Sequence, residues 1–462
     1  MKIIQIVTLL VIASTSSSAL AKNVILFLGD GMGISTITAA RIYVGQQQGK
    51  TGEEHELSFD KFDHVALVKT YNTDAQVPDS AGTITAILAG QKTRRGVLGI
   101  DASVSRDDCA ASLANEIPSI LELAEDQGKS SGIIATARVT HATPAGTYSH
   151  TPNRNWENSS ELSGEVKAQG CKDIAQQLLE TPHGDGPDII LGGGRAQFMH
   201  KDQTDPEYPG KPGLRDDGRN LISEWVSADR ERSFVWNLEA FKNLSRDETG
   251  KVLGLFEPSH MQFEADRDKD PAGEPSLTEM TQFAIDRLSQ NDKGYFLLVE
   301  GGRIDHAHHF GNAYRALEDT KALDEAVAAA VAATNPEDTL ILVTADHSHT
   351  FTISGYPPRG NPILGKVEQA TSPVFPDANV LPYTTLGYAN GPGYASPYPD
   401  LTNVDTTEPN YRQITAVPMP VETHAGEDVA AFATGKGAEH VRGVMEQNEL
   451  FGVMHNALFG DD

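Results

Sequence analysis

Between Tyr295 and Phe310 the chain reads YFLLVEGGRIDHAHHF. An apolar run, Phe296 to Val299, leads straight into Glu300, and Arg303, Asp305, His306, His308 and His309 follow. Buried strands seldom run into so many ionisable groups unless something binds them. Asp305 and His309 stand four apart, so a helical turn puts both on one face. Imidazole with carboxylate suits Zn²⁺, whereas an all-oxygen set of carboxylate and hydroxyl suits Mg²⁺.

Other apolar runs end the same way. VILFLG is followed by Asp30, GIIATARV by Thr140, His141 and Thr143, and TLILVTA by Asp346 and His347. Near the C-terminus, ETHAGED supplies His424 with Glu422, Glu427 and Asp428. One histidine at a strand end is more often hydrogen-bonded structure than a ligand. Several strand ends delivering such groups to one edge point to a site for more than one metal ion, because open α/β sheets bind ligands beyond the carboxyl ends of their strands. A nucleophile is available in VPDSAGTITAILAG, where Ser80 opens a helix of small residues whose N-terminal N–H groups suit a phosphate. Taken alone, Ser80 is more simply an N-cap. There is no G-x-S-x-G elbow, and a metal that binds the hydroxyl as an alkoxide can replace the general base. Arg154, in TPNRNWE, offers a fork-shaped cation for phosphoryl oxygens, although position alone does not distinguish it from a surface arginine.

The elements that must position these groups are short apolar strands: Val24 to Leu28, Val65 to Val68, Gly132 to Val139, Asp188 to Leu191, Tyr295 to Val299 and Thr339 to Thr344. Between them lie amphipathic stretches such as IPSILELAEDQG, SLTEMTQFAIDRLSQN and ALEDTKALDEAVAAAVAAT, and HVRGVMEQNELFGVMHNAL reads as a final helix. This alternation predicts an α/β fold with a largely parallel sheet covered by helices on both faces. Residues 355–412, rich in Pro, Gly, Tyr and Asn, read as an ordered insertion with a few short strands, and residues 200–219 as an excursion from the sheet.

The chain's 462 residues suffice for one large domain with insertions or for two domains. Residues 1–21 read as a secretory signal peptide cleaved after Ala21, its apolar core too short to span a bilayer. Export, to a periplasm or the medium, places Cys109 and Cys171 in an oxidising compartment. There an even count favours a bridge, worth about 4 kcal/mol for a loop of this size, over two free thiols. The formal charge of −27 argues against nucleic acid or an anionic membrane as partner, and no hydrophobic tail supplies an anchor.

NVILFLGDGMG, VPDSAGTITAILAG, RVTHATPAGTYSH, FLLVEGGRIDHAHH, VTADHSHTF, GYPPRG and ETHAGEDVAAFA, in this order, resemble the signatures of alkaline phosphatases. The resemblance covers nearly all of residues 22–462, a single domain, and is closest to the animal-type branch, in what reads as an exported, acidic bacterial protein. It implies a three-layer sandwich with a crown-like insertion at about 355–412, a homodimer, and broad hydrolysis of small phosphate monoesters through a phosphoserine. Ser80 would be the nucleophile and Arg154 the phosphate clamp. Asp305, His309 and His424 would hold a first zinc, and Asp346, His347 and Asp30 a second. Asp30, Thr143 and Glu300 would hold magnesium. His141 and His306, where some bacterial members carry Asp and Lys, would stand near the magnesium and the phosphate. A calcium site at Glu207, the Phe256 carbonyl, Glu257 and Glu274 is also implied, as is a Cys109–Cys171 bridge. A related phosphodiesterase or sulfatase is disfavoured by the third metal that Glu300 and Thr143 imply, and a metal-binding protein without catalysis by the intact set of site residues.

Overall fold

The computed structural model describes residues 20–368 and 381–460. All six apolar runs form strands, as proline-free segments rich in Val, Ile, Leu and Phe should. The strands are β1 (Asn23–Gly29), β2 (His64–Lys69), β3 (Ser130–Arg138), β4 (Ile189–Gly193), β5 (Ser233–Val235), β6 (Val252–Leu255), β7 (Tyr295–Gly301) and β8 (Thr339–Ala345). They continue with β9 (Ser348–His349), β10 (Phe351–Ile353), β11 (Leu386–Gly391), β12 (Thr415–Pro418), β13 (His424–Ala425), β14 (Val429–Gly435) and β15 (Gly443–Glu446).

Ten of them make one sheet in the order β15-β2-β14-β8-β1-β7-β3-β4-β6-β5. Only β14 runs against its neighbours, β2 and β8. Within this sheet β1 lies between β7 and β8, with Gly29 opposite both Gly301 and Ala345. The register therefore brings the carboxyl ends of three central strands level, so Asp30, Glu300 and Asp346 emerge along one edge. Every residue of β7 and β8 is buried, as a sheet covered on both faces requires. The helices Ile34–Gln47, Leu277–Leu288 and Ala313–Ala333 pack together on one face, and Ser80–Ala89, Ile120–Asp126 and Glu449–Phe459 on the other. This is the three-layer α/β sandwich expected.

Two elements differ from the sequence reading. The final helix begins only at Glu449, because Gly443–Glu446 is an edge strand parallel to β2. The helix expected from Ile117 starts at Ile120, since Ser119 and Glu122 form a capping box just after Pro118. Within the insertion, β11 pairs antiparallel with β10 and parallel with β12. Residues 369–380 of that insertion and residues 1–19, where the sequence reading expects a signal peptide, lie outside the described residues. Cys109 and Cys171 are bridged, with Cα atoms 6.0 Å apart, and pack on Trp156 and Leu162. Among the described residues no helix is long and apolar enough to cross a membrane.

Candidate active site

The turn after β1 determines how closely the first groups approach. Gly31 takes a left-handed φ of 69°, and its N–H donates to Asp346 Oδ1 at 3.0 Å. A Cβ there would lie 2.4 Å from His349 Nε2. On the other side of the site, Asp79, not Ser80, caps the helix Ser80–Ala89. Asp79 has an extended backbone and accepts the Gly82 N–H at 3.2 Å. Ser80 is thus the first helical residue, and its hydroxyl is free to face His347 Nε2 at 3.2 Å. Arg154 reaches the same place, donating from Nη1 to Asp79 Oδ2 at 3.1 Å, with Nη2 3.1 Å from His141 Nε2.

Three groups of metal-ligating side chains surround these residues, each with its ligand atoms within 4.8 Å of one another. The first holds Asp305, His309, His424 and His349. His309 Nδ1 donates to the Glu422 carbonyl at 2.6 Å and His424 Nδ1 to the Pro78 carbonyl at 2.8 Å. Those bonds fix the tautomer and leave both Nε2 lone pairs 3.2 Å apart, facing each other and Asp305 Oδ1 at 3.3 and 3.4 Å. Converging lone pairs with no proton between them fit a cation.

His349 has a different part. Its Nε2 lies 2.8 Å from Asp305 Oδ1 and its Nδ1 2.5 Å from Glu422 Oε2, so both ring nitrogens donate to carboxylates. Burial alone would lower His349, but Glu422 and Asp305 raise it to about 10. The ring is an imidazolium that orients Asp305. Sequence reasoning assigned it nothing, although β9 pairs His349 directly with His424 of β13.

The second group is Asp30, Asp346 and His347, all fully buried, with His347 Nε2 3.4 Å from Asp30 Oδ1 and 3.2 Å from Asp346 Oδ2. The third is Asp30, His141 and Glu300. Neither oxygen of Asp30 nor of Glu300 has a hydrogen-bond partner of good geometry among the described residues, and the buried Thr143 hydroxyl has none. Burial, then the Asp346, Asp305 and Glu300 charges, push Asp30 well up, and burial takes Glu300 to about 8. Orphaned carboxylates at this depth are costly unless a cation joins them. His141 Nδ1 and His306 Nδ1 are also buried and unpartnered. Burial and Arg154 hold His141 well down, and burial and Arg303 take His306 to about 3. His308 bonds Thr36 and the Tyr388 hydroxyl at 3.0 and 2.8 Å, a structural use of the ring.

A fourth group stands apart, formed by Glu207, Glu257 and Asp270. Glu274 stands beside this group, its Oε1 accepting the Gln262 N–H at 2.9 Å and its buried Oε2 without a hydrogen-bond partner among the described residues. Burial pushes Glu257 to about 7 and Glu274 to about 9.

The family model for alkaline phosphatase matches residues 21–459. The tissue-nonspecific alkaline phosphatase of Gallus gallus is 48% identical over 441 residues, 93% of this chain and 83% of that protein. Alkaline phosphatase from Thermus thermophilus superposes with a TM-score of 0.68 at 23% identity, covering 98% of this chain and 96% of that one. The enzyme from the Antarctic bacterium TAB5 gives 0.64 at 22%, covering 96% and 100%, and a substituted form of it has Mg bound in the M3 site.

Proposed function

This chain belongs to the alkaline phosphatase family and is a metal-dependent hydrolase of phosphate monoesters, and on that premise we propose how its residues divide the work. Ser80 Oγ attacks phosphorus while the bond to the ester oxygen breaks. The serine proton is lost, the departing alcohol gains one, and phosphoserine remains. Water then attacks that phosphorus, releasing inorganic phosphate and restoring the hydroxyl. Arg154, held by Asp79, forks onto the non-bridging oxygens, and broad specificity follows because these groups read only the phosphoryl end.

Asp305, His309 and His424 hold one zinc, Asp30, Asp346 and His347 a second, and Asp30, Thr143 and Glu300 magnesium, with His141 beside it. Bound there, the ions supply Lewis-acid stabilisation to the entering and leaving oxygens. His306 faces the bound phosphate. Glu207, Glu257 and the Phe256 carbonyl hold calcium, with Asp270 or Glu274 completing the set. We further assign export by residues 1–21, one domain over 22–462, and a homodimer joined in part through the crown-like insertion at about 355–412.

The observation that carries this reading is the convergence of the His309 and His424 lone pairs on Asp305, beside a serine relieved of capping. The test is p-nitrophenyl phosphate hydrolysis at alkaline pH with elemental analysis of the same preparation. Activity should vanish with EDTA and return with zinc and magnesium. Activity that survives Ser80→Ala would overturn the nucleophile. Light scattering that finds a monomer at micromolar concentration would remove the dimer. Calorimetry of chelator-treated protein without a calcium isotherm would remove the fourth site.

A further inference from the structure

His260 belongs to none of the donor groups above, yet its ring centroid lies 4.0 Å from that of His306 and 5.4 Å from that of His141. It follows β6 in a turn anchored to β3 by the Met261 N–H bond to the Thr136 carbonyl at 3.0 Å. Arg138 contacts the ring twice, its backbone N–H 3.2 Å from Nδ1 and its Nη1 2.6 Å from Nε2, and since a neutral imidazole accepts at one nitrogen only, one contact is a hydrogen bond and the other is packing. Glu157 in turn grips Arg138 through two bonds of 2.7 and 2.6 Å. His260 is thus fixed from behind by a chain of polar contacts.

His306 is the opposite case. Its side chain makes no hydrogen bond among the described residues, and its buried Nδ1 has no partner. The aim of its ring is left to the flat groups beside it, His260 on one side and His141, at 5.4 Å, on another. A rotor held only by packing needs a planar neighbour that does not itself move.

We propose that His260 is a positioning residue that holds the His306 ring in the orientation that meets bound phosphate, passing the rigidity of the Glu157–Arg138 pair to the site. The proposal rests on the reading above that His306 faces phosphate. Freeing that ring makes each binding event pay its ordering, so phosphate affinity should fall about 3- to 10-fold. The chemical step, carried by other residues, should change far less.

The test measures inorganic phosphate binding by calorimetry, and KM and kcat for p-nitrophenyl phosphate, in metal-loaded His260→Ala, His260→Phe, His306→Ala and the Ala double variant. Support is a rise of KM and phosphate Kd together in His260→Ala with little change in kcat. No recovery in His260→Phe, which restores a flat ring without the Arg138 contacts that fix it, and no further loss in the double variant complete the case; full recovery in His260→Phe would overturn the part given to the Glu157–Arg138 pair. If His306→Ala weakens phosphate but His260→Ala does not, the inference fails and the reading of His306 stands. If His306→Ala leaves phosphate binding unchanged, both fall. Equal losses from His260→Ala with and without His306 would mean a general structural role and also overturn it. Should the alanine variant not fold, His260→Leu, which fills the volume without a plane, makes the same comparison.

Discussion

His349 and Glu422 form an ion pair with no solvent exposure on either side, Nδ1 to Oε2 at 2.5 Å. Glu422 accepts two further bonds from Thr350, at 2.7 and 2.6 Å, and its own backbone pairs with His309 in both directions. One residue thus orients Asp305 through His349 and His309 through its carbonyl. Glu422→Gln keeps the shape and the backbone contacts but removes the charge. Metal affinity at the Asp305 group should fall about 10- to 100-fold, as for other partners of metal ligands. Chelator competition with elemental analysis reads this directly, and retention at the Asp346 group should be unchanged.

The division of labour between Asp79 and Ser80 separates stability from catalysis. Ser80→Ala removes no cap and puts the best helix former at the first helical position, so Tm should barely move. Activity should fall on the order of 10³-fold or more. Asp79→Ala should instead cost about 1 kcal/mol of stability through the lost cap and weaken phosphate binding by releasing Arg154. Thermal melts run beside steady-state kinetics distinguish the two.

Away from the metal groups, His150 sets a pH dependence of stability. Its Nε2 lies 2.9 Å from Glu122 Oε1 and its Nδ1 2.9 Å from the Gly99 carbonyl, so both nitrogens donate. Burial alone would lower its pKa, but the Glu122 bond and charge outweigh burial and raise it to about 9. The folded value lies above the unfolded one, near 6.5. The contribution, on the order of 3 kcal/mol, is therefore complete below about pH 6.5 and lost as pH rises through about 9. Urea unfolding of the wild type should weaken across that window. In Glu122→Gln, which keeps the bond to the Ser119 N–H, the slope should flatten.

Much of this candidate site was legible because the groups proposed as ligands follow apolar strands whose carboxyl ends the parallel register brings level. Asp305 and His309 announced themselves by helical spacing. His349 did not, because its ring holds a ligand in place between two carboxylates, and only the pairing of β9 with β13 brings it there. Asp79 and Ser80 compete for one cap in PDSAG, and backbone geometry, not residue type, decides between them. β14, VAAFATG, is alanine-rich and gained its strand character from β2 and β8 on either side, a tertiary effect that local propensity does not contain.

Gly31 offers the most selective disturbance of the centre. A Cβ there would meet His349 Nε2 at 2.4 Å and approach the Asp305 Cα to 3.4 Å, while the residue keeps a φ of 69°. Gly31→Ala therefore carries a left-handed penalty of about 1–2 kcal/mol and pushes the imidazolium away from Asp305. The ring cannot retreat freely, since Glu422 holds its far side. Because the Gly31 N–H also bonds Asp346, relaxing the turn to make room loosens the second group. The variant should remain folded, with a Tm lower by a few degrees, and lose metal from both groups, in contrast to Glu422→Gln, which empties the first alone. Metal content that matches the wild type in Gly31→Ala would show that His349 can be displaced without consequence, and would remove its assignment as the residue that orients Asp305.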